Sequence, residues 1–256
     1  MTDSWTAAEV TRAEGQGPVV LVCEHASRAF PQPWGDLGLS AEAAASHAAW
    51  DIGALDVARA LAALLDSPLV AGTASRLVYD LNRPLEAPDA IPAKSEIYDI
   101  PGNAGLSAPE RALRHRALHD PFHATLAEVI AGRTSDALVT IHSFTPVYRG
   151  VRREVELGFL HHADARMAEA ALAAERARGL YRAALNEPYA ASDGVTYTLQ
   201  KHGEANGLPS LMIEIRNDLI DTPARARDMA VHLMPALAAA IAAVTAAGAE
   251  DRQAAE

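Results

Sequence analysis

The sequence predicts an α/β protein, a three-layer α/β/α sandwich whose central sheet is mostly parallel or mixed. Three observations predict it. Short runs rich in Val, Ile and Leu alternate with Ala-rich stretches of helical periodicity, the pattern of a sheet covered by helices on both faces. The 256 residues are 50% hydrophobic and 21% charged, enough chain to bury a core without disulfides or a structural metal. No internal repeat and no Gly/Ser linker divides the chain, so one domain is expected over residues 17–248, with 1–16 and 249–256 loose.

The expected strands are Val19 to Cys23, Leu69 to Thr73, Leu77 to Leu81, Ala137 to His142, Glu156 to His161 and Ser210 to Arg216, each apolar and short. Helices are expected within Ala41 to Leu65, and over Ala108 to Ala131, Asp164 to Leu185 and Pro223 to about Ala247. Ser107-Ala-Pro-Glu110 reads as a capping box, and Thr222-Pro223 places an N-cap hydroxyl before a proline at the first helical position. Between them, Pro84 to Gly105 is too rich in proline and glycine for a regular element; Ile91, Ile97, Tyr98 and Ile100 favour an ordered, docked loop.

Composition narrows the partners. Lys and Arg number 22 against 33 Asp and Glu, a net charge of −11, so a nucleic-acid or anionic-membrane surface is not expected. The first residues carry acidic groups and no apolar core, which reads as neither export signal nor anchor, and a cytoplasmic protein is expected. The Ala-rich segment around Pro235 reads as a core-packing helix, and the single Cys23 as a buried strand residue. GxGxxG after the first strand, GxxxxGK[ST] and GxSxG are all missing, so nucleotide binding and serine hydrolysis lack support.

Polar groups collect where the apolar strands end. Glu24-His25 follows VVLVC, and His142 ends ALVTI, so two imidazoles emerge at the carboxyl edge of one sheet, where open α/β sheets place their sites. Asp51, expected in the first turns of a helix, either complements the helix dipole or joins the histidines. Two imidazoles, one carboxylate and an open position make a catalytic Zn2+ site. Glu214 and Arg216 interrupt SLMIEIRND on one face of a strand, where Glu214 suits a general base. The run SRLVYDLNRP supplies Arg76, Asp80, Asn82 and Arg83 near a strand end, where the clustered arginines suit an anionic small molecule, whereas Arg149, Arg152 and Arg153 read as surface charges. His115, His119 and His123 recur along one helical face; they read as a packed or solvated face, with His123 singled out as a substrate contact and metal binding as the secondary option.

Taken in order, CEHAS, HAAWDIGA, SRLVYDLNRP, TIHSF, VELGFLH, DGVTYTLQKHG and LPSLMIEIRNDLI resemble the N-formylglutamate amidohydrolase family from about Val19 to Ile220. The resemblance implies a zinc-peptidase-like fold and metal-dependent hydrolysis of a small anionic N-acyl amino acid, to formate and glutamate in the named case. On matching positions it implies His25, Asp51 and His142 as ligands of one divalent ion, Glu214 as acid/base, and Arg83 and Arg216 as carboxylate clamps. Two rivals stand beside it: a non-catalytic sensor of an acidic metabolite, and a zinc amidase or peptidase with another substrate.

Overall fold

The computed structural model describes residues 5–254. Strands β1 (Ala8–Thr11), β2 (Val19–Cys23) and β3 (Leu69–Gly72) come first, with helices α1 (Ala41–Ala45) and α2 (Ala54–Leu65) between β2 and β3. Two small hairpins follow, β4 (Lys94–Ser95) with β5 (Tyr98–Asp99), and later β7 (Val147–Tyr148) with β8 (Val151–Arg152). Between them lie α3 (Ala108–Arg114), α4 (Asp120–Ala131) and β6 (Ala137–Phe144). The rest is β9 (Leu157–Leu160), α5 (Arg166–Arg178), β10 (Ala183–Leu185), β11 (Ser210–Arg216) and α6 (Pro223–Ala254).

Seven strands form one mixed sheet in the order β1-β3-β2-β6-β11-β9-β10. Strands β3, β2, β6 and β11 run parallel, while β1 and β9 pair antiparallel to their inner neighbours. The chain leaves β2 toward β3 on one side and returns to β6 on the other, so the carboxyl ends of β2 and β6 flank a topological switch point, the usual place for a ligand crevice.

Period-two alternation divides the core. Leu21, Cys23, Val139, Ile141, Leu211, Ile213 and Ile215 face α2, α5 and α6, whereas Val20, Val22, Val70 and Leu138 pack against Leu118, Phe122 and Leu126 on the opposite side. Both faces are therefore covered, as three layers require. Cys23 is buried as expected. Helix α6 is long and apolar enough over Pro223–Thr245 to cross a membrane by length and composition, but its Ala226, Met229, Leu233, Leu237 and Ala240 are buried in the core shared with α2 and α5.

Several expectations are corrected. Leu77 to Leu81 is buried but turns instead of forming a strand: Ser75 Oγ accepts from Leu77 N, and Val78 N bonds to the Ser75 carbonyl. Hydrophobicity without alternation here marks an interior turn. The stretch Ala41 to Leu65 breaks between α1 and α2, so Asp51 precedes the helix instead of lying in its first turns. Helix α5 stops at Arg178, where Gly179 takes a left-handed conformation at φ 64°, and Ala183–Leu185 becomes an edge strand. The segment Ala108 to Ala131 is helical throughout but passes through a π-turn at His115–His119. Ala8–Thr11, expected loose, pairs with β3, and α6 runs past Ala247 to Ala254. The capping box at Ser107 and Glu110 and the Thr222 cap both form.

Candidate active site

Strand register brings the first polar groups together. In the β6–β11 pairing His142 lies opposite Glu214, so both side chains stand on the same face of adjacent strands. Glu24 continues β2 on that face and reaches within 3.1 Å of His142 Nε2. His25 follows at the end of β2, and its backbone carbonyl accepts from Asp51 N at 3.0 Å, fixing the α1–α2 break over the sheet edge. Gly53 helps to hold that break: its φ is 79°, and a Cβ there would stand 2.2 Å from the Ile220 carbonyl oxygen.

Asp51 Oδ2 is the centre of the cluster. His25 Nδ1 lies 3.3 Å from it, His142 Nδ1 3.0 Å, and Ser143 N donates to it at 3.2 Å. The other nitrogen of each imidazole faces a carboxylate: His25 Nε2 is 2.7 Å from Asp80 Oδ1, and His142 Nε2 is near Glu24. An outer carboxylate of this kind sets the tautomer of a ligating imidazole and turns its free nitrogen inward; Asp80 is hydrogen-bonded to His25 in that way, while Glu24 stands beside His142 as a nearby charge. Arg76 spans the carboxylates, donating to Asp51 Oδ1 at 3.3 Å and Asp80 Oδ2 at 2.6 Å.

The donor set fits a divalent ion. His25, Asp51 and His142 are all buried, and one ligand atom from each lies within 4.8 Å of the others. Burial and Arg76 oppose protonation of His25, but Asp80 and Asp51 hold its pKa above the ordinary imidazole value. Burial likewise opposes protonation of His142, and Glu24 with Asp51 outweighs it. Asp51 is driven far down by the two imidazoles against the cost of its burial. These are protons that a cation would replace. Glu214 is different: burial, reinforced by the charge of Asp51, pushes it up to about 7, and its buried Oε2 has no hydrogen-bond partner.

The cluster opens into a cavity of about 290 Å³ whose wall includes His25, Asp51, Arg76, Asn82, Arg83, Arg149 and Glu214. Asn82 is committed structurally, its amide donating to the Val195 carbonyl and its Oδ1 accepting from Thr198 N. Arg83 spends its donors on Asp89 and on the carbonyls of Asn82, Asp193 and Gly194. Arg216 and His123 are not brought into the cavity. Arg216 is held by Asp218, Glu156 and the Arg153 carbonyl. His123 sits behind the wall, Nε2 donating to the Leu81 carbonyl at 2.9 Å and Nδ1 accepting from His202 at 2.8 Å.

Three residues stand at the site in roles that the sequence reading did not assign. Asp80 and Glu24 orient the histidines; their signal was adjacency, Glu24 beside His25 and Asp80 four residues after Arg76. Arg149 is exposed, as expected, and also lines the cavity, because the tight β7–β8 turn carries it there at φ 50°.

No curated protein matches the chain. Among solved structures, the gene product Atu2144 from Agrobacterium tumefaciens is 48% identical, with a TM-score of 0.91 over 96% of this chain and 98% of that one. The N-formylglutamate amidohydrolase from Ralstonia eutropha JMP134 shares the fold at 18% identity, with a TM-score of 0.64 over 93% of this chain and 98% of that one. The ordered motifs that build the cavity fall inside a match to one family over residues 17–221, and the chain accordingly belongs to the N-formylglutamate amidohydrolase family.

Proposed function

We propose that this protein is a metal-dependent amidohydrolase that cleaves a small anionic N-acyl amino acid, with one Zn2+ held by His25, Asp51 and His142. The observation that carries this reading is the convergence of two imidazole Nδ1 atoms on Asp51 Oδ2, at 3.3 and 3.0 Å, with carboxylates behind both rings. When bound, the ion supplies Lewis acidity and a water acidified toward neutral pH.

Glu214 would take a proton from the water that attacks the acyl carbon and return it to the departing amine nitrogen. The C–N bond breaks, one water is consumed, and a carboxylic acid and an amine are formed. The partnerless Oε2 of Glu214 and its raised pKa suit a group that must accept and then release a proton. Arg76 uses two of its N–H groups on Asp51 and Asp80, which leaves donors for a substrate anion. Arg149 supplies a second cation at the mouth. Since Arg83 and Arg216 are largely committed to protein acceptors, Arg76 and Arg149 are the better carboxylate contacts.

The test is amine release from N-formylglutamate and from other N-formyl, N-acetyl and N-succinyl amino acids, before and after chelation. We expect turnover of at least one of them, loss on chelation, and recovery with one equivalent of Zn2+. Turnover indifferent to chelation would defeat the metal assignment, and inertness toward the whole series would defeat the substrate class.

A further inference from the structure

Outside the cavity, His115, His119 and Asp120 repeat the donor geometry of the candidate active site. His115 Nδ1 lies 3.1 Å from Asp120 Oδ1 and His119 Nδ1 3.2 Å from the same oxygen. In the cavity the matching separations are 3.3 and 3.0 Å around Asp51 Oδ2. Ligand atoms about 2.1 Å from a tetrahedral zinc stand about 3.4 Å apart, so the donors of both clusters need to spread by only a few tenths of an ångström to hold an ion.

We propose that His115, His119 and Asp120 form a second site for a divalent transition-metal ion of the zinc class, at the junction of α3 and α4.

The rings are held in place before any ion arrives. They stack at a centroid distance of 4.1 Å, and each packs edge-on against the buried Tyr79, at 5.5 and 5.6 Å. His119 Nε2 is 3.0 Å from the Tyr197 hydroxyl, an outer partner of the kind that orients a ligating imidazole. The π-turn at His115–His119 leads directly into Asp120, and such turns recur where a helix is adapted to a local site. The Asp120 side chain is 52% exposed, which leaves solvent positions for water to complete the coordination.

The cluster has no counterpart of Glu214, so its role is structural. It backs the cavity wall on two sides: Tyr79 donates its hydroxyl to the Arg83 carbonyl at 3.2 Å, and Thr198, next to Tyr197, donates its backbone N–H to Asn82. An ion there would fix the turn between α3 and α4, the surface against which Tyr79 packs.

The test is Zn2+ stoichiometry by equilibrium dialysis and elemental analysis on the whole protein. It is purified without a histidine tag and stripped by chelation, with circular dichroism to check that each variant is folded. Wild type should take up two ions per chain, His115→Ala and Asp120→Asn one each, His142→Ala one, and Asp120→Asn with His142→Ala none. Asp120→Asn is the conservative arm because that side chain is exposed. Uptake in His115→Ala and Asp120→Asn equal to wild type would overturn the proposal, as would a single wild-type ion lost in His142→Ala. A loss of one ion in Asp120→Asn with no loss in His142→Ala would uphold this site and count instead against the ligand set in the cavity.

Discussion

Glu214 concentrates the chemistry of the cavity in one side chain. A carboxyl group with a buried, partnerless oxygen, beside a centre already rich in carboxylates, stays protonated further up the pH scale than a solvated glutamate. Serving as base requires the ionised form, so kcat/KM should fall as pH drops through the titration of Glu214. A bound cation favours the carboxylate, so this acid limb should lie between the ordinary 4.5 and about 7. Glu214→Gln keeps the volume and removes the base, and should lower kcat by about 10²- to 10⁴-fold with little change in metal content. A flat pH profile, or near-normal turnover of Glu214→Gln, would reassign the proton transfer. The four central positions, His25, Asp51, His142 and Glu214, were legible in the sequence because each interrupts or closes an apolar run where a polar group has to be explained. Arg216 and His123, named beside them, lie outside the cavity for a related reason: polar residues in apolar surroundings also occur where other protein groups satisfy them, and the sequence does not reveal Asp218, Glu156 or His202 as those partners.

At the scale of elements, the β4–β5 and β7–β8 hairpins meet at the cavity mouth through Glu96. Its carboxylate accepts from Arg149 N at 2.9 Å and lies 2.7 Å from His47 Nε2, tying both hairpins to the segment that follows α1. Burial would raise the pKa of Glu96, but these donors hold it below the ordinary value, so the tie is made by the ionised group. Hydrogen bonds to a charged group are worth about 1.5–3 kcal/mol each, and removing them should raise the open population of the hairpin about ten-fold or more. Glu96→Ala should therefore speed tryptic cleavage at Lys94 by at least that factor and raise KM more than it lowers kcat. Unchanged cleavage and an unchanged KM would show that the hairpins are held by something else. The sequence identified Pro84–Gly105 as an ordered loop and placed Ile91 and Ile100 correctly against the protein, while Ile97 points outward at 68% exposure. It missed the turn at Leu77–Leu81, the break before Asp51 and the edge strands β1 and β10. All four are set by partners far away in the chain, to which local periodicity is blind.

Across the whole molecule, metal and fold should be linked through charge. Glu24, Asp51, Asp80 and Glu214 are buried around one point at the switch between β2 and β6, with the guanidinium of Arg76 hydrogen-bonded to two of them and that of Arg83 in the same wall. Without an ion, the cluster balances itself by holding protons on His25 and His142, whose pKa values the carboxylates raise. Adding an ion displaces those protons, so affinity should weaken as pH falls and uptake should release protons, measurable by calorimetry in buffers of different ionisation enthalpy. The unfolded chain has no such constellation, and a ligand that binds only the native state at 100 times its Kd adds about 2.7 kcal/mol of stability. For a chain of this size that is a rise in Tm of about 5–10 °C. His142→Ala should remove the share of this rise that the cavity ion contributes, whereas Asp120→Asn should retain that share, because the cavity joins β2, β6 and β11 and the α3–α4 junction lies outside it. A Tm that ignores chelation in wild type would mean that the folded chain gains nothing from the ion, and that the buried carboxylates are balanced by protons alone.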